Sequence, residues 1–168
     1  MAKGRLDIQW NNLRRTLQDY GWYFITLARK HLEENGTNAS GFLSDSMRWD
    51  VEIDDDMMTV GVWIADYWYY VENGRKAGKM PPLPKIEEWI YIKPVDIRPD
   101  ERGRTPSVRS LAYLIARKIG REGTSPQPFF KLAKDEARQH FEPLIREAIE
   151  KDIMDYIDAT LSLTKTFL

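Results

Sequence analysis

The stretch Met47-Arg-Trp-Asp-Val-Glu-Ile-Asp-Asp-Asp-Met-Met-Thr-Val-Gly-Val-Trp-Ile64 decides the fold that the sequence predicts. In residues 47–53, and again in residues 57–64, every second side chain is apolar. Alternation of this kind is typical of a strand with one buried face. The three aspartates at positions 54–56 favour a turn between the two strands. The stretch therefore predicts an antiparallel β-hairpin.

Helical periodicity lies on both sides of the hairpin. From Leu6 to His31, apolar residues recur every three or four positions, which predicts one long helix that ends at Asn35-Gly36. A second helical period begins at Phe129 and runs to Tyr156. Pro143 lies inside this second period, and we expect a kink or a break into two helices there. Residues 66–72 fit either a strand or a short helix.

The segment that joins these elements is rich in proline, glycine and basic residues. Its pattern predicts two loops and two helices in the order loop 74–84, helix 85–92, exposed loop 94–106, and a helix that Ser107 caps and that Gly120 and Gly123 end. The whole pattern predicts an α+β fold in a single domain, residues 1–168, with a loop and helix insert over residues 75–122.

The composition is that of an ordinary globular protein, with 42% hydrophobic and 30% charged residues. The chain has no Cys, which excludes disulfides and thiolate metal sites. Its 12% aromatic content is high, and such rings are common both in cores and at protein–protein contacts. No secretory signal or membrane-length apolar run is visible, so we expect synthesis in a cytoplasm and no membrane partner.

Charge is distributed unevenly along the chain. The net charge is −1, but residues 75–121 hold twelve Lys and Arg against five acidic residues, a segment charge of +7. The remainder of the chain carries −8. A basic middle segment in an acidic frame can meet nucleic acid or the acidic part of a neighbouring copy. A solvated loop without a partner is the third interpretation.

Residues with catalytic or metal-binding chemistry are scattered. His31 and His140 each stand alone on a predicted helix, without a second ligand at metal-binding spacing. The aspartates at 54–56 could bind a cation, although a turn is the favoured role. Glu87 and Glu88 are adjacent and therefore point to different sides of a helix. No nucleophile elbow, P-loop or dinucleotide-binding loop is present, and we expect no enzymatic activity, no cofactor and no metal.

Three segments together resemble one family of proteins. Residues 39–46 (ASGFLSDS) are similar to an A-S-G-x-L-x-x-S opening. Residues 69–74 (YYVENG) are similar to a segment with the pattern Glu-x-Gly that follows a hairpin, and residues 123–130 (GTSPQPFF) are similar to a G-T-x-P-x-P-F motif that opens a final helix. The family is that of the head–tail joining proteins of tailed bacteriophages, also called tail-completion, tail-terminator or neck proteins. The resemblance covers roughly residues 6–156.

The resemblance implies both a fold and a function. The fold is α+β, with a long N-terminal helix, a small antiparallel sheet and a helix packed on it. The function is structural: a six-fold or twelve-fold ring in the virion neck, joined to portal or adaptor proteins and to tail proteins. DNA passes through the channel of such a ring without sequence readout. The insert at residues 75–122 departs from the shorter members and leaves the layer within the neck open.

Two sets of residues are candidates for contacts in such a ring. The subunit-interface candidates come from the motifs and the predicted helix 85–92: Tyr69, Val71, Glu72, Gly74, Trp89, Ile90, Pro126, Pro128 and Phe129. The basic loop supplies Arg98, Arg102 and Arg104, which we expect to pair with acids of a neighbour or to line the DNA channel. Residues 74–106 bury little apolar surface by themselves, so we expect them to become ordered only in the ring.

Two other classes of function compete with a connector ring. A small DNA-binding protein would use the basic segment 75–121, although no helix-turn-helix pattern is apparent there. A metal-dependent nuclease would need spaced acidic residues next to a Lys, and the sequence offers only scattered acids.

Overall fold

The computed structural model of the chain describes residues 8–36, 41–54, 57–92, 97–99, 101 and 103–166. Within these ranges it has six helices and one two-stranded antiparallel sheet, which confirms the predicted α+β fold. In chain order the elements are α1 (Asn11–Glu34), α2 (Phe42–Ser46), β1 (Arg48–Asp54), β2 (Met57–Trp63), α3 (Trp68–Asn73), α4 (Leu83–Ile92), α5 (Val108–Glu122) and α6 (Phe130–Thr166).

The predicted hairpin is confirmed. β1 and β2 pair along their whole length, with Arg48 opposite Trp63 at the open end of the hairpin. Side chains at positions 49 and 51 are half-buried, and those at 48, 50 and 52 are exposed, as the alternation requires. The turn residues 55 and 56 lie outside the described residues, so the acidic turn stays a prediction.

The chain divides into two compact units. Unit 1 comprises residues 1–27, 48–63 and 133–168, and unit 2 comprises residues 28–47 and 64–132. The expectation of a single domain stays a prediction. Each unit has its own buried residues and is described by itself.

In unit 1, aromatic side chains of α1 pack on small and aromatic residues of α6. The rings of Tyr20 and Phe141 meet edge to face with centroids 5.5 Å apart, and Ala137 beside them is fully buried. On the sheet side, a Cβ atom on Gly21 would lie 2.6 Å from the Trp49 ring. Only glycine leaves room for the indole at this point, so Gly21 sets the distance between α1 and β1.

In unit 2, a row of small residues brings two helices together. Ala112, Ala116 and Gly120 follow each other at four-residue intervals on α5, and all three are buried. A Cβ atom on Gly120 would lie 2.7 Å from the Met80 side chain. Ile90 of α4 is also buried in this unit. Small side chains on one helical face therefore allow α4 and the segment before it to pack closely on α5.

Several boundaries differ from the sequence prediction. Gly120 does not end α5; it is an interior helical residue, because its missing side chain is needed against Met80. Residues 68–72 of the ambiguous stretch 66–72 are helical in α3, and α2 lies within the motif segment 39–46. The predicted ends at Asn35-Gly36 and at Gly123 are confirmed, since Gly36 and Gly123 both have positive φ.

A break into two helices at Pro143 is wrong, because α6 is one helix from Phe130 to Thr166, and the alternative of a kink stays a prediction. Proline removes one backbone N–H, which leaves the carbonyl of Gln139 without its helical partner. Gln139 and Pro143 are both exposed, so a water molecule can donate a hydrogen bond to the Gln139 carbonyl in place of the missing N–H group. The loss of one hydrogen bond on the solvent side does not interrupt the helix.

The insert contains two helices and hydrogen bonds to other parts of its own unit. The predicted helices at 85–92 and after Ser107 are confirmed, and the Ser107 hydroxyl accepts a hydrogen bond from the Ser110 N–H. The Gly78 N–H donates to the Gly120 carbonyl at 2.7 Å. Residues 75–92 contact α5 and residue 124 of their own unit, and the expectation that residues 74–106 become ordered only in a ring stays a prediction.

A buried carboxylate holds the start of α1. Asp152 of α6 is 2% exposed, and its two oxygens accept hydrogen bonds from the Asn12 and Leu13 N–H groups, each at 2.9 Å. The Asn12 side-chain amide donates a third bond at 2.6 Å. The first turn of α1 has no acidic residue of its own, so Asp152 supplies both the hydrogen-bond acceptors and the negative charge that a helix N-terminus requires.

The first prediction concerns this cap. Burial alone raises the pKa of the Asp152 carboxyl, but the hydrogen bonds from Leu13 and Asn12 outweigh it and hold that pKa below the ordinary 3.8. Asp152→Asn should lower the free energy of unfolding at neutral pH by roughly 2–3 kcal/mol. Because the folded pKa is depressed, the contribution is complete above pH 3.8 and is lost as pH falls through that value towards the folded pKa.

Urea denaturation of wild type and variant at several pH values measures this effect. The matched control is Asp155→Asn, which removes an exposed carboxylate that contacts Asn12 only at 3.4 Å and should change stability by less than about 0.5 kcal/mol. A difference between wild type and Asp152→Asn that is equally large at pH 3 and pH 7 would contradict the assignment.

Candidate functional site

The two most specific motifs of the sequence meet at one carboxylate. Glu72, in the segment 69–74, is 8% exposed and lies against the start of α6. Its Oε2 accepts hydrogen bonds from the N–H groups of Phe129 and Phe130 at 2.9 and 2.8 Å, and its Oε1 accepts one from Lys131 at 3.1 Å. Three of the unpaired N–H groups of a 37-residue helix are thereby satisfied by one distant side chain.

Backbone contacts join the same two segments. The Arg75 N–H donates to the Thr124 carbonyl at 3.0 Å, and the Thr124 N–H donates to the Arg75 carbonyl at 2.8 Å. One turn away, the Gln127 N–H donates to the Val71 carbonyl at 2.9 Å. Gly74 has φ of 67°, and a Cβ atom there would contact the backbone of Thr124, Ser125 and Pro126. The glycine is therefore required both by its conformation and by the space available.

Exposed aromatic rings lie beside these contacts. Tyr70, Tyr69, Trp68 and Phe130 form a continuous series with centroid distances of 6.0, 6.1 and 5.0 Å, and we call these four residues the aromatic row. The Arg75 guanidinium lies 5.6 Å from the centre of the Tyr70 ring. Tyr69 and Tyr70 are each more than half exposed. Large exposed rings in a fixed arrangement are typical of protein–protein contacts.

The structure separates the predicted interface residues into two groups. Four of them are exposed: Tyr69, Trp89, Pro126 and Pro128. Glu72, Ile90 and Phe129 are buried in unit 2, and Val71 and Gly74 are half-buried. Glu72, Phe129 and Val71 take part in the hydrogen bonds that join the two segments, and Ile90 packs within unit 2. The surface prediction for the exposed residues stays a prediction.

The basic candidates are only partly described. Arg98 and Arg104 are exposed, and Arg102 lies outside the described residues. A different basic surface, which the sequence patterns did not single out, lies on α5. Its exposed side chains are Arg109, Ser110, Tyr113, Leu114, Arg117, Lys118 and Arg121. Helical spacing brings them onto one side of the helix, and Glu122, exposed at the end of α5, pairs with Arg121. This face is defined by which side chains of α5 are exposed, and the sequence alone does not give that exposure.

Unit 1 has an open groove of about 420 Å³. It is lined by Leu17, Tyr20, Val60, Arg138, Glu142, Ile145 and Arg146. A hydrogen bond from Arg146 lowers the pKa of the exposed Glu142 carboxyl, and burial raises the pKa of the Tyr20 phenol. Both shifts move the pKa away from neutral pH, which is the opposite of what general acid–base catalysis requires.

Other predicted chemistry is placed as follows. His140 stacks on Tyr23 with ring centroids 5.1 Å apart, and His31 lies 3.4 Å from a Glu34 carboxylate oxygen one turn later. Within the described ranges, no group of three or more His, Asp or Glu residues is arranged to hold a metal ion. No helix in the described part of the chain is both long and apolar enough to cross a membrane.

Comparison with known proteins gives no further identification. No protein-family model matches the chain, and no curated protein or solved structure matches it at a significant level.

The second prediction tests Glu72. Glu72→Ala should lower the free energy of unfolding by about 3 kcal/mol, because three N–H groups at the start of α6 lose their charged acceptor. Glu72→Gln retains one oxygen acceptor and should cost roughly half as much. The control is Glu88→Gln, which breaks an exposed ion pair with Lys85 at 3.3 Å and should have an effect of less than about 0.5 kcal/mol. Chemical denaturation provides the measurement, and equal effects of Glu72→Ala and Glu88→Gln would refute the cap.

The third prediction separates backbone conformation from steric exclusion. Gly36 and Gly74 have similar φ values of 64° and 67°, but only Gly74 is surrounded by backbone atoms. Gly36→Ala should cost about 1 kcal/mol, the ordinary penalty for a left-handed alanine. Gly74→Ala should cost at least about 2 kcal/mol more, since the backbone at residues 124–126 must move. Thermal melts followed by circular dichroism compare the two variants, and equal losses would argue against the close approach.

Proposed function

We propose that this chain is a structural, non-enzymatic virion protein that forms a ring at the head–tail connector of a tailed phage. In this role it joins portal or adaptor proteins to tail proteins, and DNA passes through the channel without sequence readout. The proposal needs no cofactor, metal or membrane. It places the mature protein in the neck or tail region of the virion.

The observation that carries the proposal is the contact between the two motif-bearing segments at Glu72. The resemblance rests on the order of motifs that are individually weak. A carboxylate from the first segment accepts three hydrogen bonds from the residues that open the final helix in the second. If the motif matches were chance similarities, there would be no reason for the two segments to contact each other. A shared structural unit gives such a reason, and this supports the resemblance to the joining proteins.

The surface around that contact favours assembly. Tyr69 and Tyr70 of the aromatic row are exposed, and so are Pro126 and Pro128, whose fixed φ stiffens the segment before α6. A stiff segment loses little conformational entropy when it docks. Rings held in one arrangement by their neighbours likewise contribute contact area at low entropic cost. Together they form a surface suited to a permanent protein partner.

A second candidate function is a small DNA-binding protein that uses the basic segment 75–121. The observation in its favour is the exposed face of α5, which carries Arg109, Arg117 and Lys118, with Arg121 paired to Glu122 at the end of the helix. Such a protein would bind duplex DNA with an affinity that falls steeply with salt. A connector subunit would instead assemble with itself. The mass of the protein in solution would therefore distinguish it from a monomeric or dimeric DNA-binding protein.

The fourth prediction is that the purified chain forms closed rings of six or twelve copies. Head-to-tail contacts between identical subunits close into rings when the rotation between neighbours permits it. Native mass spectrometry should give the copy number, and negative-stain electron microscopy should show a central channel. Because joining proteins can require their partner, the same measurement should be made with the cognate portal protein present.

Immunogold labelling of purified virions provides the independent arm. The label should lie at the junction between head and tail. A chain that stays monomeric with and without portal protein, and that is absent from virions, contradicts the proposal. A monomer or dimer that binds duplex DNA with a strong salt dependence would support the second candidate instead.

A further inference from the structure

Residues 153–163 of α6 are exposed on nearly every side. From Ile153 to Leu163, every side chain except Tyr156 is exposed. Met154, Ile157 and Leu161 are 55%, 41% and 57% exposed, and their spacing of three and four residues aligns them on one stripe of the helix. A short helical end with an uncovered apolar stripe is only marginally stable in water. It therefore gains most from a partner that covers the stripe.

The apolar stripe is bordered by acidic residues. Helical spacing places Glu147, Glu150 and Asp158 beside Met154, and all three are exposed. Lys151 is the one basic side chain between Glu147 and Leu163. We call Glu147, Glu150, Met154, Ile157, Asp158 and Leu161 the acidic stripe. A partner for this surface needs an apolar centre with positive charge at its edge.

Unit 2 has a surface of that kind. A groove of about 460 Å³ is lined by Leu83, Ser107, Arg109, Ser110, Tyr113 and Leu114, and we call it the basic groove. Tyr113 and Leu114 are each about half exposed, which gives the groove an apolar surface. Arg109 is one of the lining residues, and Arg117, eight residues later and also exposed, lies on the same face of α5. No acidic residue lines the groove.

The charges of the two units are also complementary. Unit 1, which carries the acidic stripe, has ten basic and fifteen acidic residues, a formal charge of −5. Unit 2, which carries the basic groove, has fifteen basic and eleven acidic residues, a formal charge of +4. Opposite charges on the two units favour contacts between unlike units of different copies and disfavour contacts between like units.

We propose that the acidic stripe of one copy binds in the basic groove of the next copy. The contact is a helix laid in a groove, with apolar side chains at its centre and ion pairs along its edge. It joins two different surfaces of the same chain, so each copy offers one free stripe and one free groove. Closure of the series into a ring rests on the proposed connector function, whereas the pairing of stripe with groove does not.

Reversal of charge on each side tests the pairing. The groove variant carries Arg109→Glu and Arg117→Glu, and the stripe variant carries Glu150→Lys and Asp158→Lys. Each variant alone places like charges opposite each other, and its self-association should weaken by at least about a hundredfold. An equimolar mixture should recover assembly, because the acidic groove of one variant matches the basic stripe of the other. Rings built by alternation need an even copy number.

The control variant carries Arg14→Glu and Arg15→Glu. These two exposed residues of α1 give the same change in net charge as the groove variant, but lie on neither surface. The control should assemble like wild type. Circular dichroism melts of each variant establish that the subunits are folded, and analytical ultracentrifugation reports the mass of each sample and of the mixture.

The outcomes separate this inference from the connector function. If the wild-type chain forms rings and neither charge-reversal variant disrupts them, the stripe–groove pairing is wrong and the connector proposal stands. If the wild-type chain forms open chains or dimers, and if each variant disrupts them and the mixture restores them, the pairing is supported. The same result counts against a closed ring. A wild-type chain that never self-associates overturns the pairing. If the groove variant assembles normally but loses binding to a fluorescent duplex oligonucleotide, the groove is a DNA site and the pairing fails.

Discussion

The starts of both long helices depend on a buried carboxylate from elsewhere in the chain. Neither α1 nor α6 has an acidic residue in its own first turn. Asp152 accepts hydrogen bonds at the start of α1, and Glu72 accepts them at the start of α6. These two are the charged residues buried within the described part of the chain. Burial of a charge is costly unless every oxygen has partners, so each carboxylate fixes one position of the helix that it caps.

Small residues also determine how closely the helices and segments pack. Gly74 allows the segment after Glu72 to run against the backbone at residues 124–126, and Gly120 admits Met80 against α5. Gly21 admits the Trp49 ring against α1. At each of these points a single methyl group would collide with its neighbour. The packing is therefore specified as much by absent side chains as by large apolar ones.

The candidate site follows from this internal order. Because Glu72 holds α3 against the start of α6, the rings of α3 and Phe130 come together as the aromatic row. The buried motif residues thus position the exposed residues. A mutation of a buried motif residue would therefore affect function by displacing the exposed residues. The acidic stripe and the basic groove are of another kind. They are surfaces left uncovered after each unit has satisfied its own core, which is why we assign them to contacts between copies.

The sequence by itself determined the hairpin, the long first helix with its glycine end, the Ser107-capped helix and the α+β class. These depend on periodicity and turn chemistry, which act between residues close in the chain. It also singled out the segments 69–74 and 123–130, but as surface motifs. Only the tertiary structure decided that Glu72 and Phe129 are buried, that Pro143 interrupts nothing, and that Asp152 caps a helix 140 residues away. A carboxylate at such a distance has no sequence pattern that marks its partner, because the partner is a backbone N–H group that nearly every residue carries.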